Sequence, residues 1–599
     1  MNDHGKNPFE LVTASKLSAE EATGLWCDDK RLDRVAGRET CFIHGHRGTG
    51  KSMLFRVLQR DCQELLYPQR DSTFLAVYFP VRDSEFLVEE LKLFQSDLQR
   101  YIICESQLSL LIVKQLLLII RNRPDVIPDN CHRAFIELAV KRMSAAYRFS
   151  NAPPPTIGSG DLATVVLDLI EVVEVECQRL RDFIGKSLLY ASSPAYDGPL
   201  FLYDSLLGPI ADFFSDRVGV CLYFLIDDGD DLPRTHTVIL NTWIARRRKS
   251  AVFKVSTMYT YKTWRTRSGS AIQQAHDFIQ YDIATRYLEG KGESYVQLLK
   301  EICRKRLEQA GVTLPDGTVV DPERFFPKHE EQERRIQEVQ ERLKKQYAQV
   351  FTGRAVRDNV YRHTMSEYLR ELKQRRALHS FCYAGFTTLA VLSGGLVRDF
   401  IICAQQMFDN ASRRTEGEVI RSIPPSIQHD AVKAHADRLL DRIGDSRQKR
   451  VRDAGDWRKV AKLIEGLGVL FKQKLLSQDS ERRVFSFALQ SPPSEELLKL
   501  LKLGISEGYF MKGYSAKKEG TGRRALYVLT RRLAPCFSLD VSSYSGYLSC
   551  TPDVIEKLAN EGPLRRSEDV SSAQIEMFKT HGANEVEYEP LDPGDMEIW

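Results

Sequence analysis

The chain has 599 residues, of which 43% are hydrophobic and 28% charged, and its formal net charge is +4. This length is too great for one typical hydrophobic core and predicts two or three domains of an ordinary soluble protein. The near-neutral balance gives no general argument for nucleic-acid binding, so only a local basic cluster can indicate it. The twelve cysteines are scattered singly, without a C-x-x-C pair, which predicts reduced thiols in a cytoplasmic protein.

The apolar segments do not predict a membrane protein. The first ten residues are polar and carry no signal peptide. The most apolar run, Leu108–Ile120, is too short to span a bilayer and contains Lys114. We therefore expect a buried helix there, and a cytoplasmic protein without a membrane partner.

Residues 1–39 precede the first predicted strand. Leu17–Trp26 has the pattern of a helix, and Ser18 followed by Glu21 is a capping-box pattern. Two interpretations stay open, because this helix either packs over the adenine side of a nucleotide or merely covers an edge of the sheet.

A phosphate-binding loop comes next. Thr40–Ile43 predicts a strand, residues 45–52 read GHRGTGKS and fit G-x-x-x-x-G-K-[ST], and the apolar residues that follow have helical spacing. Glycines let the backbone N–H groups curl around an anion at a helix N-terminus, while the lysine reaches the β- and γ-phosphates and the serine hydroxyl ligates Mg²⁺. The predicted nucleotide-binding residues are Gly45, His46, Arg47, Gly48, Thr49, Gly50, Lys51, Ser52 and Met53.

A long helical segment follows the second predicted strand, Phe74–Phe79. Residues 85–215 are mostly helical in pattern, with a break at Pro153–Pro155. This segment is far longer than an ordinary connection. We interpret it as a helical insertion in the nucleotide-binding domain, with a surface for a partner.

A pair of acids ends the next predicted strand, Val220–Ile226. The strand runs into DDGDD at residues 227–231, and an apolar strand followed by two acids is the Walker B pattern. We expect Asp227 to help to hold Mg²⁺ with Ser52, and Asp228 to orient or deprotonate the attacking water.

The following elements predict a parallel sheet. They are a helix and two strands, at Thr237–Ala245, Ala251–Ser256 and Phe278–Ile283. Alternating strands and helices indicate parallel strands with crossover helices. Ligands lie at the carboxyl ends of such strands, where Gly45, Asp227 and Ser256 or Thr257 are expected to meet.

The second half of the chain predicts helices and a small sheet. Glu323–Tyr347 is densely charged with a narrow apolar stripe, which indicates a solvated helix or a short coiled-coil arm. The sequence SGGLVR opens a later helix with Gly394, Gly395 and Arg398. From Leu539 the chain grows acidic, and we expect partial disorder after Glu561.

A winged-helix pattern precedes that tail. The predicted helices and strands are Asp456–Ser477, Val484–Leu489, Ser494–Ile505, Tyr509–Met511 and Ala525–Leu529. The last two strands flank YSAKKEGTGRR, residues Tyr514–Arg524, which resembles a wing. The DNA-contact candidates in this loop are Lys517, Lys518, Arg523 and Arg524.

The order of these motifs resembles the AAA+ and related STAND-type ATPases, and most of all the origin-recognition, or replication-initiator, branch as found in bacteria. The resemblance covers about residues 7–535 and is weak through the insertion. It implies ATP and Mg²⁺ as cofactors, with Lys51, Ser52, Asp227 and Asp228 as the hydrolytic core. ATP rather than GTP follows from the resemblance alone.

The same resemblance implies further roles. Arg398 is placed as the sensor-2 arginine, and Ser256 or Thr257 as the sensor-1 residue. One of Arg246, Arg247 and Arg248 is a candidate arginine finger for a neighbouring subunit, although a basic triplet at a helix end is equally explained by the helix dipole. Asp228 and Ser256 or Thr257 depart from the glutamate and asparagine that are common in the family.

We therefore expect an α/β protein, with a P-loop NTPase parallel sheet that carries a helical insertion and a helical lid, followed by a winged-helix-like α+β domain. The expected segments are an N-terminal segment (1–39), the P-loop half (40–84), the insertion (85–215), the Walker B half (216–290), a charged helical arm (291–377), the lid (378–454), the winged-helix-like domain (455–538) and an acidic tail (539–599).

Three functions stay open at this stage. The first is an ATP-hydrolysing switch that controls a homo-oligomer or a partner effector protein, a role that the resemblance links to bacterial defence. The second is an ATP-controlled DNA-binding initiator or loader that uses the winged helix. The third is an ATP-stabilised scaffold with little turnover, which only the short Asp228 carboxylate favours.

Overall fold

The computed structural model of the chain describes fifteen ranges of residues. These ranges are 7–10, 13–27, 29–70, 72–84, 86, 96–189, 196–258, 261–283, 293–374, 381–414, 419–444, 454–477, 484–516, 523–541 and 546–563. The chain divides into two compact units. Residues 13–45 and 50–283 form the first unit, and residues 7–10, 46–49 and 293–563 form the second.

A five-stranded sheet is the centre of the first unit. Its strands are β1 Cys41–His44, β2 Phe74–Pro80, β3 Cys221–Asp227, β4 Ala251–Thr257 and β5 Ile279–Asp282. They pair in the order β2-β3-β4-β1-β5, and every pairing is parallel. All residues of β3 and β4 are buried, as expected for strands covered on both faces. The predicted parallel α/β sheet is confirmed.

The first unit also contains helices, several of which contact the sheet. They are α1 Ala19–Leu25, α2 Asp29–Val35, α3 Lys51–Val57, α4 Arg60–Leu66, α5 Asp97–Asn122, α6 Asp129–Ala146, α7 Leu162–Leu189, α8 Leu207–Phe213 and α9 Arg234–Ala245. The predicted capping box is present, because Ser18 and Glu21 each accept a backbone hydrogen bond from the other. Helices α5 to α8 lie between β2 and β3 in the chain, where the helical insertion was expected.

Helix α5 contains the most apolar run of the sequence. Its length and composition would allow it to cross a membrane, but 67% of its most apolar 18-residue window is buried within the protein. Leu110 and Ile112 are fully buried in a core shared with α7 and α9. This burial agrees with the prediction of a buried helix.

The second unit begins with a helical arm and continues into a lid. Its helices up to residue 444 are α10 Glu293–Gln309, α11 Pro322–Phe325, α12 Glu330–Tyr347, α13 Arg354–Gln374, α14 Phe386–Leu392, α15 Val397–Ser412 and α16 Pro425–Gly444. The apolar stripe of α12 packs against α13, where Val339, Leu343, Val360 and Tyr368 form a small core. The apolar stripe of α12 is therefore buried within the protein, against α13.

The winged-helix-like part contains a second sheet. Its elements are α17 Ala454–Leu475, β6 Val484–Leu489, α18 Glu495–Ser506, β7 Phe510–Ala516, β8 Arg523–Leu529, α19 Ala534–Phe537, β9 Gly546–Cys550 and α20 Pro552–Glu561. The strands pair in the order β7-β8-β6-β9. β7 and β8 are antiparallel up to the pair Ala516 and Arg523, as expected for the two strands of a wing, and residues 517–522 lie outside the described residues.

The expected boundary between this domain and an acidic tail at residue 539 is corrected by the structure. β9 pairs in parallel with β6, and α20 buries Ile555 and Leu558. A Cβ atom on Gly466 of α17 would lie 2.8 Å from Leu558 Cδ2, so the two helices are in close contact. The domain therefore continues to residue 563, and the disorder expected after Glu561 falls mostly on residues outside the described ranges.

Candidate nucleotide-binding site

The phosphate-binding loop follows β1 and has the backbone shape that its glycines allow. The Gly45 N–H donates a hydrogen bond of 3.1 Å to the Thr257 carbonyl oxygen, which fixes the start of the loop beside the end of β4. Gly48 and Gly50 have φ angles of +91° and +98°. Residues other than glycine rarely adopt such positive φ angles, because their Cβ atom clashes with the backbone. The Thr49 hydroxyl donates to the His46 carbonyl oxygen at 2.9 Å and closes the turn between them.

The side chain of Lys51 points back towards the start of the phosphate-binding loop. Lys51 begins α3, is only 6% exposed, and donates a hydrogen bond from Nζ to the Gly45 carbonyl oxygen. Ser52 and Met53 lie partly exposed in the first turn of α3, while Arg47 is exposed. The cradle of glycines, the lysine and the serine at a helix N-terminus are groups that fit a Mg²⁺-bound nucleotide phosphate.

The Asp227 carboxylate lies at the end of β3 and accepts hydrogen bonds from both neighbouring strands. Ser256 of β4 donates from Oγ to Asp227 Oδ1, and Tyr78 of β2 donates from its hydroxyl to Asp227 Oδ2 at 3.0 Å. The Asp228 N–H donates to Ser256 Oγ at 2.9 Å and to Asp227 Oδ1 at 3.1 Å. Burial and the charge of Asp227 raise the pKa of Tyr78 far above its ordinary value, so this hydroxyl stays a donor.

The acidic turn after β3 has a constrained backbone. Asp228 has φ +56°, which is uncommon for a residue with a side chain. A Cβ atom on Gly229 would lie 2.6 Å from Val255 Cγ1, so this position requires glycine. Asp230, 8% exposed, accepts a hydrogen bond from the Met258 N–H and thereby fixes the segment after β4.

An arginine lies beside the second Walker B acid. Arg82 follows β2 and places Nε 2.6 Å from Asp231 Oδ2 and 3.4 Å from Asp228 Oδ2. Sequence reasoning missed both Arg82 and Tyr78. Their position near the carboxyl end of a predicted strand could have indicated that they belong to the site. However, no local sequence motif identifies them as site residues.

The structure separates the two sensor-1 candidates. Ser256 contacts the Walker B acids, whereas the Thr257 hydroxyl is 2.6 Å from His44 Nδ1. Burial lowers the pKa of His44, so the neutral ring is the form expected beside Thr257 at neutral pH. The sensor-1 role itself stays a prediction, and the geometry favours Ser256 as its bearer.

The arginine triplet at the end of α9 has acidic partners within the first unit. Arg246 and Arg248 also lie over the Tyr203 ring, at 5.9 and 5.6 Å from its centroid. The acidic partners of Arg246, Arg247 and Arg248 include, in that order, Asp204, Asp277 and Asp212. An arginine finger in trans stays a prediction, and it requires one of these pairs to open.

Arg398 lies in the first turn of α15, within the second unit, which also includes residues 46–49. Its N–H donates to the Gly48 carbonyl oxygen at 3.1 Å. A Cβ atom on Gly48 would lie 2.7 Å from Arg398 Cβ, so the loop approaches this helix as closely as glycine permits. The sensor-2 role of the exposed Arg398 side chain stays a prediction.

The basic wing candidates are only partly described. Arg523 and Arg524 begin β8, whereas Lys517 and Lys518 lie outside the described residues. The antiparallel register of β7 and β8 is described up to the pair Ala516 and Arg523.

Comparisons with known proteins identify the family. The family model described as ORC-CDC6-like matches residues 7–353 and 352–549, which confirms the origin-recognition resemblance. No curated protein matches the chain.

The solved structures that are similar to the chain include three that we name here. They are Cdc6p from Pyrobaculum aerophilum (10% identity, TM-score 0.28, 94% of this chain and 98% of that chain), Orc1 from Aeropyrum pernix in complex with DNA (11%, 0.28, 85% and 90%) and Drosophila ORC bound to DNA (11%, 0.27, 88% and 94%). These TM-scores are too low to support an argument by themselves.

Proposed function

The chain belongs to the ORC-CDC6-like family, and we propose that it is an ATP-binding and ATP-hydrolysing molecular switch of the AAA+ type. The observation that supports this most is the meeting of three elements in the first unit. Gly45 contacts the end of β4, Lys51 donates to Gly45, and Ser256 of β4 donates to Asp227. Phosphate-binding and acidic groups thus come from the carboxyl ends of adjacent strands.

Each group has a proposed role. The loop N–H groups and Lys51 bind the β- and γ-phosphates, and Ser52 and Asp227 hold Mg²⁺, which neutralises phosphate charge. Asp228 orients or deprotonates the attacking water. The fit rests on the glycine cradle and on the oxygen donors that Mg²⁺ prefers.

A direct test is phosphate release from ATP with Lys51→Ala and Asp228→Asn. We expect Lys51→Ala to abolish ATP binding and turnover, since the β- and γ-phosphates lose the lysine ammonium that binds them. Asp228→Asn should keep binding and lose turnover by about 10²–10⁴-fold, the usual contribution of a general base. Lys141→Ala, at an exposed position of α6, is the matched control.

The outcome separates a switch from a scaffold. Turnover that disappears in both site variants but not in the control supports the switch. Tight ATP binding without turnover in the wild type would support an ATP-stabilised scaffold instead.

The output of the switch is proposed to be assembly with further copies or with a partner effector protein. The support is the family and the large helical insertion, whose outer face carries the exposed side chains Leu167 and Val175. Sedimentation with ATP and with ADP tests self-assembly, because a switch requires different assembly in the two states. A role in bacterial defence is part of this proposal and predicts that a phage-derived trigger changes turnover.

DNA binding through the wing is a second candidate function. Its support is the antiparallel pairing of β7 and β8 up to Ala516 and Arg523, together with the basic residues Lys517, Lys518, Arg523 and Arg524 in this part of the sequence. Phosphate contacts by these residues would make binding to duplex DNA fall steeply with salt.

Fluorescence anisotropy with a labelled duplex tests this candidate. Lys517→Ala/Lys518→Ala should weaken binding and reduce the salt slope by about 2. The matched control removes two exposed lysines of α12, Lys344→Ala/Lys345→Ala. Equal loss in both double variants would contradict a wing-specific site.

A further inference from the structure

The Asp227 carboxylate has a nearly complete set of hydrogen bonds in the described part of the chain. Oδ1 accepts from Ser256 Oγ and from the Asp228 N–H, while Oδ2 accepts from the Tyr78 hydroxyl. An ionised carboxylate offers about four acceptor positions. One position therefore remains, and it lies on Oδ2, the oxygen that Tyr78 contacts.

Tyr78 reaches this oxygen because of the strand register. Pro80 of β2 is paired with Asp227 of β3, so Tyr78 lies two residues earlier on the neighbouring strand. Residues two apart on a strand share a face, and an aromatic side chain is long enough to reach a diagonal neighbour. The ring is partly exposed rather than enclosed in the core.

From this geometry we propose that Tyr78 is a positioning residue for the cation site, which sets Asp227 Oδ2 to accept its last bond from Mg²⁺ or from a Mg²⁺-bound water. Without the hydroxyl, the carboxylate is held only through Oδ1, by Ser256 and the Asp228 N–H, and the position of Oδ2 is less restrained. Groups that orient a metal ligand typically contribute a factor of about 10–100 to metal affinity. This inference rests on the proposed ATP function and concerns a residue to which that function assigns no role.

The test is Mg²⁺-dependent binding of a fluorescent ATP analogue, measured with Tyr78→Phe. Titration with MgCl₂ at constant nucleotide gives the half-saturating Mg²⁺ concentration, and titration in EDTA gives nucleotide affinity without the cation. We expect Tyr78→Phe to raise the half-saturating Mg²⁺ concentration by about tenfold or more. Its affinity in EDTA should equal that of the wild type.

Tyr223→Phe is the matched control. Tyr223 lies on β3 and donates from its hydroxyl to the Ala36 carbonyl oxygen at 3.0 Å. The variant loses one tyrosine hydrogen bond in the same sheet, away from Asp227. Its Mg²⁺ response should match that of the wild type.

A double variant separates positioning from packing. Asp227→Asn should itself reduce the Mg²⁺ response, and adding Tyr78→Phe should change it no further, because the hydroxyl acts through that carboxylate. A Mg²⁺ response of Tyr78→Phe equal to that of the wild type would overturn the inference, as would an equal loss of affinity in EDTA. Wild-type protein without Mg²⁺-dependent nucleotide binding would overturn the proposed function itself.

Discussion

Asp399 and Arg532 form an ion pair of 2.7 Å in the second unit, and their side chains are only 13% and 8% exposed. Asp399 lies in the first turn of α15, and Arg532 follows β8. Arg532 also donates to the Gly508 carbonyl oxygen at 2.6 Å and to Thr530 Oγ1 at 3.1 Å. The pair therefore joins the lid to the winged-helix-like part, which share one hydrophobic core.

We predict that this pair makes the second unit sensitive to acid. Burial alone would raise the pKa of Asp399, but the Arg532 charge, with His435, holds that pKa below its ordinary value. A carboxylate whose pKa is lower in the folded state stabilises the fold above its unfolded pKa of about 3.9, and the contribution disappears as the pH falls towards the folded pKa. Thermal denaturation between pH 7 and pH 3 should show this loss in the wild type.

The Asp399→Asn variant tests whether this ion pair causes the loss of stability in acid. Breaking a buried pair costs about 3–5 kcal/mol, so the variant should be less stable at pH 7 and lose less below pH 4. Asp456→Asn is the control, since Asp456 and Lys499 pair at 2.7 Å with more exposed side chains and such pairs contribute about 0–1 kcal/mol. Parallel pH profiles for the wild type and Asp399→Asn would refute the assignment.

A second prediction distinguishes Ser256 from Thr257. Ser256→Ala removes the hydrogen bond to Asp227 Oδ1 and the acceptor of the Asp228 N–H, so turnover should fall by about 10–100-fold, as is usual for partners of a metal ligand. Thr257→Ala removes the hydroxyl contacts with His44 and the Met258 carbonyl, which do not involve the Walker B acids, and should change turnover little. Steady-state phosphate release measures both, and a larger effect at Thr257 would reverse the assignment.

A third prediction concerns Arg82. Its guanidinium attracts the Asp228 carboxylate at 3.4 Å, which restrains the proposed base. Arg82→Ala should therefore raise turnover several-fold at an unchanged affinity for ATP. Asp231→Ala removes the nearer carboxylate of Arg82 and should lower turnover, because Arg82 is then free to pair more closely with Asp228. Changes of the same sign in both variants would contradict this account.

A fourth prediction compares two loop glycines. Alanine at Gly48 or at Gly50 has to adopt a positive φ, at a cost of about 1–2 kcal/mol. At Gly48 the added Cβ also collides with Arg398, whereas at Gly50 no atom of the described residues lies within 4 Å of it. Gly48→Ala should therefore lower the melting temperature of nucleotide-free protein by more than Gly50→Ala. Equal melting temperatures would show that the Arg398 contact is not maintained in solution.

Much of the fold could be predicted from the local pattern of residues in the sequence. Each of the five parallel strands was predicted within one or two residues, because buried strands are short apolar runs bounded by turns. The P-loop was identified for a similar reason, since its glycines, lysine and serine are adjacent in the chain. β9 and α20 were missed because the acidic residues around them concealed short apolar segments whose partners, β6 and α17, lie far earlier in the chain.

The local sequence pattern could not predict which side chains contact the Walker B acids. Tyr78 and Asp227 are 149 positions apart, and the whole helical insertion lies between them. Nothing in a single sequence fixes the register of two parallel strands across such a distance. The acidic partners of the arginine triplet could not be predicted for the same reason, because they are far from it in the sequence.

The sequence by itself therefore determined the class of chemistry, since a nucleotide site requires particular residue types at a spacing that one loop supplies. The tertiary structure alone decided which strands are neighbours, and with them which side chains orient the Asp227 carboxylate and which arginine lies beside Asp228. The physical reason is that backbone conformation follows from residues a few positions apart, whereas hydrogen bonds across a sheet depend on strand order and register, which only the packed core determines.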